Sequence, residues 1–180
     1  MEEIKVLITE EEIANRVAEL AHQIMNDYPN KEIVLIGVLT GAVYFAVDLS
    51  RRIDNKLKLE FVKVKSYDHD VSNQAPEWKL QLQDSIEGKD VIVVEDIIDS
   101  GITLNFLLDS LKVQKAKSIK LCVLLNKKIE KKHNIKCDYI GFDIEDKYVI
   151  GYGLDSEEYY RNLPYIGYKE VKEDKTLIKK

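Results

Sequence analysis

Apolar positions in this chain follow two alternating rhythms. Thr9 precedes Glu12 by three residues, and Ile13, Val17, Leu20, Ala21 and Ile24 follow at helical spacing. A capping box leading into an amphipathic stripe predicts a helix over about 10–27, ended by Tyr28-Pro29-Asn30. Residues 33–39 form an unbroken apolar run of strand length, as expected of a strand covered on both faces. Thr40-Gly41 breaks it, and Val43, Phe45, Ala46, Leu49 and Ile53 return to helical spacing. A strand near 59–65 precedes an irregular stretch from Ser66 to about Ser85. Then come a buried strand at 91–94, a helix at about 102–113, a strand at 119–125 and short strands near 139–142 and 148–151.

Buried strands alternating with helices predict an α/β fold: a central parallel sheet flanked by helices on both faces. Ligands of such sheets bind beyond the carboxyl ends of the strands. That rule places Leu39-Thr40-Gly41, Ser66-Tyr67, Glu95–Thr103 and Asn126-Lys127 on one rim.

Composition narrows the partners. A chain of 180 residues with 45% hydrophobic and 33% charged residues suits one globular domain with a true core. Its net charge of −5, with no basic block before the Lys-rich end, argues against nucleic acid. No apolar run approaches the ~18–20 residues that span a bilayer, and the acidic start Met1-Glu2-Glu3 does not read as a signal peptide. Cys122 and Cys137 form no CxxC pair, and His22, His69 and His133 are scattered, so neither zinc nor a disulfide framework is expected. A cytoplasmic setting, with no membrane, fits these features.

The chemistry concentrates in Val91-Ile92-Val93-Val94-Glu95-Asp96-Ile97-Ile98-Asp99-Ser100-Gly101-Ile102-Thr103-Leu104. The reading is a buried strand that ends at a carboxylate pair, followed by a turn that opens a helix. Ser100, Gly101 and Thr103 would sit where unpaired N–H groups and the helix dipole suit a phosphate, with Gly101 allowing close approach. Simple capping by Asp99 or Ser100 is the alternative. Two adjacent acids at a rim repel unless a cation joins them, and Mg²⁺ suits carboxylates together with substrate oxygens.

This run resembles the phosphoribosyl-pyrophosphate (PRPP) motif of type I phosphoribosyltransferases, in the form used by their hypoxanthine-guanine branch. Gly141-Phe142 through Asp155, continuing over Tyr160-Arg161-Asn162-Leu163-Pro164, is similar to that branch's purine-binding region, and the likeness extends from about Val6 to Gly167. It implies the type I phosphoribosyltransferase fold, with a core of about 8–147. A small hood would come from the N-terminal segment plus about 148–170, leaving 171–180 as a tail. The implied reaction moves phosphoribose from PRPP to hypoxanthine or guanine, giving IMP or GMP and pyrophosphate in purine salvage.

By the same resemblance Asp99 is the general base, and Glu95 and Asp96 meet the ribose and Mg²⁺. Ser100, Gly101, Ile102 and Thr103 hold the 5′-phosphate. Lys127 donates to the purine 6-oxo group, Tyr148 stacks on the ring, Val149 offers backbone groups, and Asp155 lies near a second Mg²⁺. Thr40, Gly41 and Arg161 meet pyrophosphate, Ser66 and Tyr67 belong to a lid, and the assembly is a homodimer or homotetramer. Two departures stand out. Thr40 occupies a position where the family commonly has Lys, in a loop that often contains a cis peptide, so only a backbone role survives there. The segment 68–78, with Pro76 and Trp78, is poorer in Gly, Ser and Thr than the usual lid. A xanthine-preferring enzyme and a non-catalytic PRPP-sensing regulator are the rival readings.

Overall fold

The computed structural model describes residues 4–65, 76–99, 101–129 and 135–169. The main sheet contains β2 (Ile33–Val38), β3 (Leu57–Lys65), β4 (Glu77–Leu80), β5 (Asp90–Ile98), β6 (Ser118–Lys127) and β7 (Tyr139–Ile144), in the order β4-β3-β2-β5-β6-β7. All neighbours run parallel except β4, which pairs antiparallel with β3. β1 (Ile4–Ile8), β8 (Val149–Ile150) and β9 (Ile166–Lys169) form a separate antiparallel sheet, the hood.

Alternate side chains of the central strands serve two cores. Ile33, Leu35, Ile92, Val94, Cys122 and Leu124 pack with α1 (Glu10–Asp27) and α2 (Val43–Ser50). Val34, Ile36, Val91, Val93, Leu121 and Val123 pack with Leu104, Leu107 and Leu111 of α3 (Ile102–Lys112). This two-sided burial explains the continuous apolar runs. α1 begins as expected: the Thr9 hydroxyl accepts from the Glu12 N–H at 3.2 Å, and the Glu12 carboxylate accepts from the Thr9 N–H at 2.8 Å. Arg16 ties the helix to β7 by donating to the carbonyls of Ile140 (2.7 Å) and Gly141 (2.8 Å).

The chain departs from β2 and from β5 in opposite directions across the sheet, so α2 and α3 cover opposite faces. A crevice is expected where the winding reverses. The register shows it. β5 pairs with β2 only as far as Gly37↔Val94, but with β6 as far as Ile98↔Asn126. Glu95–Ile98 therefore has a strand on one side and the crevice on the other.

This corrects the expectation that the strand ends at the carboxylate pair: β6 holds Glu95 and Asp96 inside β5. A second correction concerns the stretch expected to be irregular up to Ser85, which contains β4, its Trp78 ring 5.9 Å from that of Phe106 on α3. The helix expected to reach Ile53 stops at Ser50, with a turn at Arg51-Arg52, although Ile53 is buried. β1 and β9 are strands that periodicity did not single out, because each is short and completed only by the other. Among the described residues, no helix is long and apolar enough to cross a membrane.

Candidate active site

A cavity of about 360 Å³ opens at the carboxyl ends of β2 and β5. Leu39–Gly41 of the β2–α2 loop, Glu95–Asp99, Gly101–Leu104, and the hood residues Asp155 and Arg161 line it. Of the four segments expected on one rim, the β2–α2 loop and the stretch from Glu95 to Thr103 meet here, while Asn126 and Lys127 do not line the cavity.

The floor of the cavity is acidic. Burial, then the adjoining Asp96 charge, pushes the Glu95 carboxyl well above the ordinary carboxylate range. Burial also raises Asp96, against the opposing pull of hydrogen bonding from Glu95, the Ile97 N–H and the Arg161 charge. The Ile97 N–H donates to Asp96 Oδ1 at 2.7 Å. Two crowded carboxylates whose charged forms are disfavoured gain most from a cation brought between them.

At the head of α3, Gly101 is the N-cap residue, with φ 78° in the left-handed region. A glycine there allows the turn and supplies no side-chain acceptor to the first-turn N–H groups. Those donors, with the Thr103 hydroxyl beside them, suit an anion. Ser100 lies outside the described residues, as do Ser66 and Tyr67.

The hood seals the other wall. A Cβ on Gly41 would overlap the Asp96 carboxylate, and one on Gly153 would overlap the Gly41 carbonyl oxygen. The Gly41 backbone therefore lies between the Asp96 carboxylate on one side and the Gly153 backbone on the other. Arg161 locks this arrangement by donating to the Gly153 carbonyl at 2.7 Å and pairing with Asp155 at 2.9 Å. Thr40, Gly41 and Arg161 are thus brought together, and the Leu39–Thr40 peptide is cis. Lys63 of β3 lies 3.4 Å from the Thr40 hydroxyl. Sequence reasoning missed Gly153, whose importance rests on a contact 112 residues distant in the chain and is invisible to local pattern.

Lys127, Tyr148 and Val149 do not line this cavity, although Lys127 and Tyr148 each contact a residue that does. The Lys127 side chain is only 12% exposed, and its ammonium sits 3.7 Å from Asp99 and 3.1 Å from Asp146. Tyr148 is 63% exposed, and its hydroxyl donates to the Asp155 carbonyl at 3.1 Å. Val149 is buried in β8, an edge strand of the hood sheet. A cation, a carboxylate and an open aromatic face therefore adjoin the acidic cavity. Asp146, which sequence reasoning quoted without assigning it a role, is the nearest carboxylate to Lys127.

Comparisons with known proteins agree with this geometry. The phosphoribosyl transferase domain model matches residues 7–157. A hypoxanthine-guanine phosphoribosyltransferase of Bacillus subtilis is 46% identical over 164 residues, covering 91% of each chain. The crystal structure of such an enzyme from Bacillus anthracis superposes with a TM-score of 0.89 at 44% identity, covering 93% of this chain and 100% of the other. A hypoxanthine phosphoribosyltransferase structure from Staphylococcus aureus gives a TM-score of 0.88 at 41% identity, over 92% of this chain and 91% of that one. With its paired acids on β5 beside the crevice, its glycine-capped helix and this likeness over nearly the full length of both chains, the protein belongs to the phosphoribosyltransferase family, in the hypoxanthine-guanine branch.

Proposed function

We propose that this chain transfers phosphoribose from PRPP to hypoxanthine or guanine, yielding IMP or GMP and pyrophosphate. The observation that carries this reading is the placement of Lys127 3.7 Å from Asp99, at the edge of a cavity holding both a carboxylate pair and a glycine-capped helix start. An anion cradle serves PRPP, and the Asp99–Lys127 pair serves a base that has both an acidic ring N–H and an oxygen acceptor.

The Gly101–Thr103 turn would hold the 5′-phosphate, leaving the ribose over Glu95 and Asp96. A ring nitrogen of the purine attacks C1′ as the bond to pyrophosphate breaks, and the ring proton passes to Asp99. Lys127 donates to the 6-oxygen; an adenine amine does not accept that bond in the same way. Arg161 and the backbone at Thr40-Gly41 receive the leaving pyrophosphate, Arg161 through its planar two-pronged donor. Tyr148 and Val149 would frame the purine.

Among the described residues no three acidic, His or Cys side chains form a preformed metal cage. Mg²⁺ bound by few carboxylates together with substrate oxygens needs no such cage. The raised, crowded Glu95–Asp96 pair fits that role, with Asp155 as a further carboxylate. Bound there, Mg²⁺ would neutralise charge developing on pyrophosphate.

The enzyme would act in the cytoplasm as a homodimer or homotetramer. In such an assembly the exposed Tyr44 on α2, its ring tilted by 30° at 6.2 Å from that of Tyr152, is a surface that a second copy would cover. Sedimentation of the full chain checks the oligomer. The test of the reaction is kcat/KM with PRPP and Mg²⁺ for hypoxanthine, guanine and xanthine. Turnover of hypoxanthine or guanine supports the reading, a strong xanthine preference replaces it, and no turnover of any base leaves a PRPP sensor.

A further inference from the structure

At the end of β6 three consecutive side chains cross to the end of β7 and the turn after it. Asn126 donates to Asp143 at 2.6 Å, Lys127 pairs with Asp146 at 3.1 Å, and Lys128 pairs with Glu145 at 3.6 Å. The outer two pairs are surface contacts of ordinary kind. The middle one differs, because the Lys127 side chain is 12% exposed and its ammonium stands between two carboxylates, those of Asp146 and Asp99.

The two distances separate the roles. At 3.1 Å the Asp146 contact is a charge-assisted hydrogen bond, whereas 3.7 Å to Asp99 is Coulombic attraction without a bond. An ammonium has three donors and no acceptor. Held by Asp146, it keeps a donor free for a ligand oxygen and stays off the Asp99 oxygens. Without Asp146, the nearest compensation for a half-enclosed cation is Asp99, and a small swing of the flexible stem closes the gap. That swing would withdraw the donor from the purine and occupy the group that must take its proton.

We infer that Asp146 is a positioning residue for oxopurine recognition: it holds Lys127 in the pose that reads the 6-oxygen and keeps Asp99 unbonded. This rests on the proposed oxopurine transfer. Asp146 also lies two residues before Tyr148, so the same contact ties the ring-stacking segment to β6.

The test compares the wild-type enzyme with Asp146→Asn and Asp146→Glu, in steady state with PRPP, Mg²⁺ and hypoxanthine. Unsubstituted purine, which lacks the 6-oxygen, serves as a competing ligand. Asp146→Asn should raise KM for hypoxanthine roughly tenfold, the scale of one charge-assisted hydrogen bond. It should leave KM for PRPP and the melting temperature within about twofold and about 2 °C of wild type. The inhibition constant of purine should move far less than KM for hypoxanthine, and Asp146→Glu should recover most of the loss. An equal loss for hypoxanthine and purine, a loss shared by PRPP, or an unchanged hypoxanthine KM each overturns the inference. Should purine fail to inhibit either enzyme, the split between the two KM values and the rescue by Glu decide. An inactive wild type would instead overturn the oxopurine reading itself, so the two failures are distinguishable.

Discussion

The Asp96 carboxylate occupies the space that a Cβ on Gly41 would need. The β2–α2 loop and the acid pair of β5 are therefore built against each other, and the Gly41 carbonyl in turn meets Gly153 of the hood. At the cavity only the Asp96 side chain stands between β5 and the loop, and no side chain stands between Gly41 and Gly153.

Gly41→Ala should accordingly displace either the loop or Asp96. A shift of about 1 Å in a positioned group costs up to about 100-fold in rate, so kcat/KM for PRPP should fall by about that factor. The fold should survive, since overpacking costs only about 1–3 kcal/mol. Circular dichroism with PRPP kinetics checks both parts.

Lys127→Ala removes the donor assigned to the 6-oxygen. We expect kcat/KM for hypoxanthine to drop about 10- to 100-fold, with the ratio of hypoxanthine to adenine activity falling toward one. A parallel fall for both bases would assign Lys127 to the general electrostatics of the site. The assay is competitive turnover of the two bases with PRPP.

The capping box at Thr9 and Glu12 lies outside the chemistry. Thr9→Ala should lower the melting temperature by about 2–4 °C, the shift expected for one lost helix cap in a chain of this size, without altering kcat. Differential scanning calorimetry beside the standard assay reads this.

Asp90, nearly buried at the start of β5, gives a pH dependence to stability. Burial pushes its carboxyl up, but the Ser118 hydroxyl at 2.6 Å and the Lys117 ammonium at 3.1 Å outweigh that and hold it below the ordinary 3.8. A carboxyl lowered by folding contributes stability that is present above its unfolded value and is lost as pH falls through the folded one. Asp90→Asn should therefore destabilise the protein at pH 7, with the difference from wild type shrinking below about pH 4. Melting curves across that range would show the convergence.

The parallel sheet was legible because its central strands are covered on both faces, which writes unbroken apolar runs into residues 33–38 and 91–94. α1 was legible to the residue because its cap and buried stripe are both local. β1 and β9 were not, since Ile4–Ile8 and Ile166–Lys169 make a strand pair only with each other across the length of the chain. The extension of β5 past Glu95 was hidden for a related reason. Carboxylates read as a strand end, yet pairing to β6 continues to Ile98. In the site, Asp99 and Gly101 stood out by type and spacing, whereas Lys127 and Arg161 were singled out only by the resemblance to the family. The contacts that arrange them, from Asp146 to Lys127 and from Gly153 to Gly41, link segments distant in sequence and carry no local signature.

The central claim, that Asp99 takes the proton of an oxopurine during phosphoribosyl transfer, is tested most directly by pyrophosphate release from PRPP and hypoxanthine. Wild type and Asp99→Ala are compared, with PRPP affinity measured on both. Removal of a positioned general base should cost about 10²- to 10⁴-fold in kcat and leave the PRPP dissociation constant within about threefold, because its cradle lies at Gly101–Thr103 and the Glu95–Asp96 pair. Equal losses in turnover and PRPP affinity, or full turnover by Asp99→Ala, would contradict it.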